Sequence, residues 1–327
     1  MTKIDLKDRK ILYELDLNCR QSNTQIGKKV GLKKDVVAYR IKRMQDEGIL
    51  TNFWTAINTF KLGYHVFRIY INFQYINNEI KNKIIDHFVN YKNTWVAGSV
   101  SGIIDFAAVI WANDIYEFYS FWNKTLDLYE EYFARYAFSI YIESFDYKKD
   151  YLFPEKIDPS NRELYRTSCA GKPAKIDEMD YQLLNEIVMN ARTPLIDLAK
   201  KLNCSSQTIQ YRLKNLIKLH VIDGFRIHID YSKLELQLYK IDIYLKDHKQ
   251  RNAIIEYLKT KPYFIILNVA IGWSDIEPEL VFNNVNELTE EMESINSKFP
   301  NVIKNYNYWL TAKIHKFRWL PEMEFKK

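Results

Sequence analysis

Between Asp5 and Gly48 the apolar residues recur at three- and four-residue spacing in three short runs separated by polar breaks. Ile11, Leu12 and Leu15 share one face of a helix from about Asp8 to Leu17, Ile26 and Val30 line a second, and Val37, Ile41 and Met44 line a third that starts near Lys34. Asn18–Asn23 breaks the first helix, and Ser22 or Asn23 offers a side-chain oxygen to cap the second. Gly31 suits the left-handed residue that ends a helix, and Gly48 ends the third. Two short helices joined at a tight turn make a helix-turn-helix pattern. The period then changes to two. Tyr64–Tyr75 reads as a strand, Asn78–Tyr91 as a helix, Thr94–Val100 and Phe106–Ala112 as strands, Ile115–Leu128 as a helix and Tyr132–Phe145 as a long strand. That order, β-α-β-β-α-β, is the ferredoxin-like plan.

The whole pattern is then written again, 172 residues on. Lys3-Ile4-Asp5, Asp8, Leu12, Asn18, Arg20, Lys28-Lys29, Tyr39-Arg40, Lys42 and Phe53 recur as Lys175-Ile176-Asp177, Asp180, Leu184, Asn190, Arg192, Lys200-Lys201, Tyr211-Arg212, Lys214 and Phe225. Asn203 stands where the first copy has Gly31, and Asn is the other residue that tolerates that backbone. Pro194 suits the first turn of the second helix, and Ser205 or Ser206 caps the third. Leu238–Leu245, Asn252–Lys259, Tyr263–Ala270, Glu277–Phe282, Val285–Ser297 and Val302–His315 repeat the second module. The fold class is therefore α+β: helix-turn-helix domains at 1–52 and 175–224, ferredoxin-like domains at 53–146 and 225–327, and a polar, proline-bearing linker at 147–174.

Composition narrows the function. No stretch of the 327 residues approaches the roughly 20 apolar residues a membrane-spanning helix needs. The N-terminus carries no apolar export signal, and Cys19, Cys169 and Cys204 lack metal-ligand spacing, which points to a reducing, cytoplasmic setting. Nothing resembles a phosphate-binding Walker loop, a zinc site or a nucleophile triad, so no cofactor or metal is expected. The net charge of +6 is weak evidence by itself, since the richness in Lys, Ile, Asn and Tyr is what an AT-rich genome produces. Its placement is stronger evidence. Lys28, Lys29, Lys33, Lys34, Arg40, Lys42 and Arg43 cluster on the turn and third helix against Asp35 alone. Lys200, Lys201, Arg212 and Lys214 do the same in the second copy with no acid between them. Two such clusters are the footprint of phosphate binding, which makes double-stranded DNA the expected partner. Tyr39 and Tyr211 either touch phosphate or pack on the helix, and Arg40 and Arg212 either bind DNA or bridge to the first helix. The outward positions Lys34, Asp35 and Ala38 differ from Ser206, Gln207 and Gln210, with Ser205 beside them, so the two copies need not read the same bases.

The run Ile4-Asp5-x-x-Asp8-x-x-Ile11-Leu12-x-x-Leu15-x-x-Asn18-x-Arg20-x-Ser22, with Ile26-Gly27-Lys28-x-Val30-Gly31-Leu32 and Tyr39-Arg40-Ile41-x-x-Met44-x-x-Glu47-Gly48-Ile49, resembles the Lrp/AsnC (feast/famine) transcription regulators. The resemblance covers almost the whole chain, twice. It implies a sensing (RAM) domain after each helix-turn-helix, with a Gly-x-x-Asp loop matched here by Gly102, Asp105, Gly272 and Asp275, near which small effectors such as amino acids bind. It further implies dimerisation through connecting strands, here Asn52–Asn58 and Gly224–Asp230, so that one chain forms a pseudo-dimer and chains can associate further at the nucleoid. Glu277 and Glu279 replace Ala107 and Val109 of the first copy, so their strand faces either solvent or a polar, cation-binding site. Two alternatives share the plan: a siroheme-decarboxylase-like tetrapyrrole enzyme, and an architectural DNA-binding protein without effector. His65, Arg68, His87, Arg135, His228 and His315 form no spacing that singles out the enzyme.

Overall fold

The computed structural model describes residues 4–153 and 158–325; Lys3 of the repeat and Pro154 of the linker lie outside them. Helix α1 (Leu6–Leu17) starts in a capping box in which Asp5 and Asp8 satisfy each other's backbone N–H. Ser22 and Gln25 do the same for α2 (Asn23–Val30), which ends on Gly31 at φ 69°. Helix α3 (Lys34–Asp46) follows and leads into β1 (Leu50–Ile57). The first ferredoxin-like module is β2 (His65–Phe73), α4 (Asn78–Asn90), β3 (Thr94–Ser101), β4 (Phe106–Ala112), α5 (Ile115–Tyr129) and β5 (Phe133–Tyr147). The region read as a linker contributes a strand, β6 (Glu163–Ser168), which pairs with the end of β5. The second copy is α6 (Glu178–Ile187), α7 (Leu195–Lys201), α8 (Ser206–Lys218) and β7 (Ile222–Ile229). Its ferredoxin-like module is β8 (Gln237–Leu245), α9 (Arg251–Lys259), β9 (Phe264–Ile271), β10 (Glu277–Phe282), α10 (Val285–Lys298) and β11 (Ile303–Phe317). Asn203 takes φ 50°, as its place at the turn requires.

Two seams join the copies. In the first, β1 and β7 pair antiparallel with Trp54 opposite Arg226. These are equivalent positions, 172 apart, so the axis relating the copies passes between them. Both helix-turn-helix units share one core here: Ile11, Leu12 and Leu15 of α1 and Leu183, Leu184 and Ile187 of α6 are completely buried in the same cluster. Each such side chain contributes about 1.5–3 kcal/mol relative to exposure.

In the second seam, strands β5 and β11 are each long enough to serve both copies. The first half of β5 pairs with β2 and the second half with β9; the first half of β11 pairs with β8 and the second half with β3. The strands β2-β4-β3-β11-β8-β10-β9-β5 therefore close into a ring, and neither module leaves a free edge at this seam. Helices α4 and α5 cover one side of the ring from outside, over Ile84, Phe88 and Phe121, and α9 and α10 cover the other, over Ile254, Leu258 and Met292.

Candidate functional site

The exposed surface of α3 begins with Lys33 and Lys34 and continues through Asp35, Ala38, Tyr39 and Lys42. Because Val37, Ile41 and Met44 are buried, helical spacing leaves these residues on the opposite face. Lys28 is exposed on α2. In the second copy Lys200, Gln207, Gln210, Tyr211 and Lys214 occupy the matching outward face around buried Ile209, Leu213 and Leu216. Tyr39 and Tyr211 stand 68% and 72% exposed, so neither packs on its helix. The Ser205 hydroxyl is taken up capping α8 through Thr208 N–H, whereas Ser206 is half-buried. Lys33, at the same position before α3, makes no side-chain cap, so the two recognition helices present different N-terminal ends.

The arginines of this surface turn inward. Arg40 bridges Asp5 at 2.8 Å and Asp8 at 2.9 Å, and Arg43 reaches Asp8 at 2.5 Å. Arg212 makes the same pair with Asp177 at 2.8 Å and Asp180 at 2.7 Å. They tie the third helix of each copy to the first, which answers for them the choice left open by sequence. Lys29 and Lys201 bridge Glu14 and Glu186 on the first helices. Lys42 pairs with Asp46, with both side chains more than half exposed, a contact of little net value.

Arg20 and Arg192 hold the two units at a fixed spacing. Arg20 donates to the carbonyls of Ala191 and, at 3.3 Å, Thr193; Arg192 donates to the carbonyl of Cys19 at 2.8 Å and to Asn23 Oδ1 at 2.9 Å. Each arginine thus clasps the other copy's turn. The repeated Asn-x-Arg in the sequence was their only sign.

Below, Arg226 is buried on β7 and donates to Asp16 Oδ1 at 3.0 Å and Oδ2 at 2.5 Å, and to Asp146 Oδ1 at 3.1 Å. It joins α1 of the first copy to β5 of the first ferredoxin-like module. Burial raises the pKa of Asp146, opposed by the Arg226 charge.

Within the strand ring, Glu277 and Glu279 are buried rather than solvent-facing, and their cations are the protein's own. Arg68 of the first copy lies 2.5 Å from Glu277, and Lys240 pairs with Glu279. Asp242 accepts from Trp309 Nε1 at 3.2 Å, and burial pushes its carboxyl up to about 6. The Gly-x-x-Asp residues hold the seam. A Cβ on Gly102 would stand 2.8 Å from the Tyr308 carbonyl oxygen, and one on Gly272 2.8 Å from that of Phe138, each in the other copy. Asp105 Oδ2 accepts the Phe73 N–H at 2.9 Å and Asp275 Oδ2 the Leu245 N–H at 2.8 Å, so both carboxylates anchor strand ends. The remaining seam space is a cavity of about 250 Å³ between Tyr70, Arg135, Tyr244 and Trp273. Of the histidines, His87 bonds Thr125, His228 bonds Thr51 and His315 bonds Ser99, in three separate places. Among the described residues no helix is long and apolar enough to cross a membrane.

Comparison with known proteins agrees with the geometry. Residues 4–51 match the winged helix-turn-helix DNA-binding family, and residues 176–217 match the AsnC-type helix-turn-helix domain. The proline dehydrogenase transcriptional activator of Rhodobacter capsulatus is 35% identical over 86 residues, 26% of this chain and 53% of its own length. The HTH-type transcriptional regulator Ptr1 of Methanocaldococcus jannaschii is 39% identical over 66 residues, 20% of this chain and 45% of its own. The chain thus spans about half the length of the curated relatives it matches. Over the whole chain, the crystal structure of the siroheme decarboxylase NirDL superposes with a TM-score of 0.64, covering 97% of this chain and 94% of that one at 10% identity. That likeness concerns the fold. The chain carries two helix-turn-helix DNA-binding domains in one body. It repeats one plan twice, a helix-turn-helix unit, of AsnC type in the second copy, followed by a ferredoxin-like module.

Proposed function

We propose that this chain is a sequence-specific regulator of transcription that grips double-stranded DNA with both helix-turn-helix units and answers to a small molecule held by its sensing modules. The observation that carries the reading is the shared outward face of α3 and α8. In both copies the lysines stay exposed while the arginines of the same helices are spent on internal ion pairs. Exposed cations at a recognition helix hold phosphates, and the residues between them read base edges. Because Lys34, Asp35 and Ala38 face outward on one side and Gln207 and Gln210 on the other, the two half-sites differ. The arginine clasp and the β1–β7 pair give one chain the two-handed grip that family members build from two subunits. On this reading the chain works at the nucleoid and is not an enzyme.

A second reading, a tetrapyrrole enzyme, is favoured by the whole-chain likeness to NirDL, another structure of which holds an iron-uroporphyrin III analogue. Against it, the seam cavity of about 250 Å³ falls below the roughly 300–1,000 Å³ of sites for drug-sized ligands, and buried ion pairs fill the chamber beside it. Mixing the protein with labelled random duplex DNA, and separately with an iron porphyrin, decides between them. The regulator reading expects DNA binding that weakens steeply with salt and an unchanged porphyrin absorbance spectrum. Salt-insensitive or absent DNA binding with a saturable spectral shift overturns it.

A further inference from the structure

The two ferredoxin-like modules differ on their outer helical faces. Ile84, Ile85 and Phe88 of α4 hold the same buried places as Ile254, Ile255 and Leu258 of α9. Phe118 and Trp122 of α5 hold those of Leu288 and Met292 of α10. In this register His87 corresponds to Tyr257, Tyr91 to Lys261, Phe121 to Glu291 and Lys124 to Ser294. The second copy closes the groove between its helices. Tyr257 Oη and Ser294 Oγ lie 2.8 Å apart, and Lys261 Nζ donates to Glu291 at 3.2 Å. The Lys261 and Lys298 ammonium groups stand over the Tyr257 ring. In the first copy the bond between the helices runs deep: His87 Nε2 lies 2.9 Å from the hydroxyl of Thr125, which is completely buried. A groove of about 690 Å³ stays open there, within the roughly 300–1,000 Å³ of small-molecule sites.

We propose that the groove between α4 and α5 binds one mononucleotide per chain, with the base against its aromatic floor and the phosphate held by Lys83 and Lys124. The site lies outside the strand ring and goes beyond the regulator reading, on which it does not depend. The floor is Phe121 with a ring on either hand. Tyr91 stacks on it with centroids 4.1 Å apart at 30°, and His87 at 5.4 Å and 12°. Burial lowers the pKa of His87, so near neutral pH its ring is uncharged and extends the stacking surface. Every base has a π-face, so such a floor takes a planar base without further chemistry. Lys83 and Lys124 line the groove, one from each helix, and both are exposed. The partner of Lys83 is Glu79, and with both side chains more than half exposed that pair yields readily to a phosphate. Two lysines match the nearly two negative charges of one phosphate monoester. Two carboxylates also line the groove. Glu117 is taken up by the backbone N–H and Nδ2 of Asn113, each at 2.8 Å, and by Asn93 Nδ2 at 3.2 Å. Asp86 is exposed on α4; as an acceptor it suits the hydroxyls of a ribose and opposes a second phosphate group.

The test is calorimetric titration of the full-length protein with the four ribonucleoside monophosphates, their nucleosides and inorganic phosphate. Expected is saturable binding of at least one nucleotide at one site per chain. Its nucleoside and inorganic phosphate should each bind at least tenfold more weakly, and Lys124→Ala should cost tenfold or more in affinity. His87→Tyr combined with Lys124→Ser installs the bridge of the second copy and should abolish binding, with circular dichroism reading an intact fold. Lys34→Ala, on the DNA-facing helix, should leave nucleotide affinity as it is. No binding of any of the four, a nucleoside or phosphate held as tightly as the nucleotide, two sites per chain, affinity unchanged in Lys124→Ala, or binding lost in Lys34→Ala overturns the proposal.

Discussion

Replacing Arg226 by alanine is expected to destabilise the chain by about 3–5 kcal/mol, the cost of leaving buried charges without their partner. The carboxylates of Asp16 and Asp146 both depend on this guanidinium, and all three side chains are buried where α1, β7 and β5 meet. Chemical denaturation followed by circular dichroism reads the effect as a lower midpoint. The pH dependence has a definite sign. Burial raises the folded-state pKa of Asp146 and the Arg226 charge opposes it, so without the arginine that pKa stands further above the unfolded value. A raised carboxyl pKa contributes stability at low pH that is lost as pH rises through it. The deficit of Arg226→Ala relative to wild type should therefore be largest near pH 7 and shrink as pH falls toward the normal carboxylate range. Arg226→Met combined with Asp16→Asn and Asp146→Asn should recover part of the loss, because of the cluster only Lys149, 3.8 Å from Asp16 in the wild type, then keeps a charge without its partner. A single substitution that costs less than about 1 kcal/mol would show that this cluster does not hold the copies together.

The second large effect concerns DNA. Replacing Lys33, Lys34 and Lys42 together by alanine should lower the slope of log affinity against log salt by about 0.9 for each phosphate no longer neutralised, about 2.7 for three. Near 0.15 M salt the expected weakening is on the order of a hundredfold. Lys304→Ala, exposed on β11 in the second ferredoxin-like module, should leave the slope as it is. Fluorescence anisotropy of a labelled duplex over a salt series measures both. An unchanged slope in the triple variant removes these lysines from the interface.

Most elements were legible because their information is local. The spacing of Val37, Ile41 and Met44, the cap at Ser22, the left-handed Gly31 and the run of Val, Phe, Ile and Tyr in β2 each specify one segment through its own residues. Comparing the copies added a check, since Asn203 keeps the left-handed turn without glycine. What escaped the sequence depends on partners far along the chain. Tyr132–Phe145 read correctly as one strand, yet nothing in it tells that its second half pairs with β9 of the other copy. Strand β6 is short and polar and owes its existence to the edge of β5. Glu277 and Glu279 were visible as an anomaly, but their cations, Arg68 and Lys240, are assigned only once the ring closes. Arg40 and Arg212 carried the same ambiguity at the DNA surface. Their position fitted phosphate binding as well as bridging, and the capping aspartates Asp5, Asp8, Asp177 and Asp180 are what hold them.

The two seams also explain why the halves diverged without falling apart. Trp54 faces Arg226 where a symmetric pair would set like against like, and Arg68 faces Glu277 where the first copy has only Ala107. Each half is complementary to the other rather than to itself, so its recognition helix could change on its own. Selection of bound sequences from a random duplex pool by the full-length protein tests this asymmetry at its source. One enriched site per chain is expected, made of two unlike half-sites whose centres lie about one helical turn, or a whole multiple of it, apart. Enrichment of a perfect palindrome, or no enrichment at all, would contradict a two-handed grip with independently tuned halves.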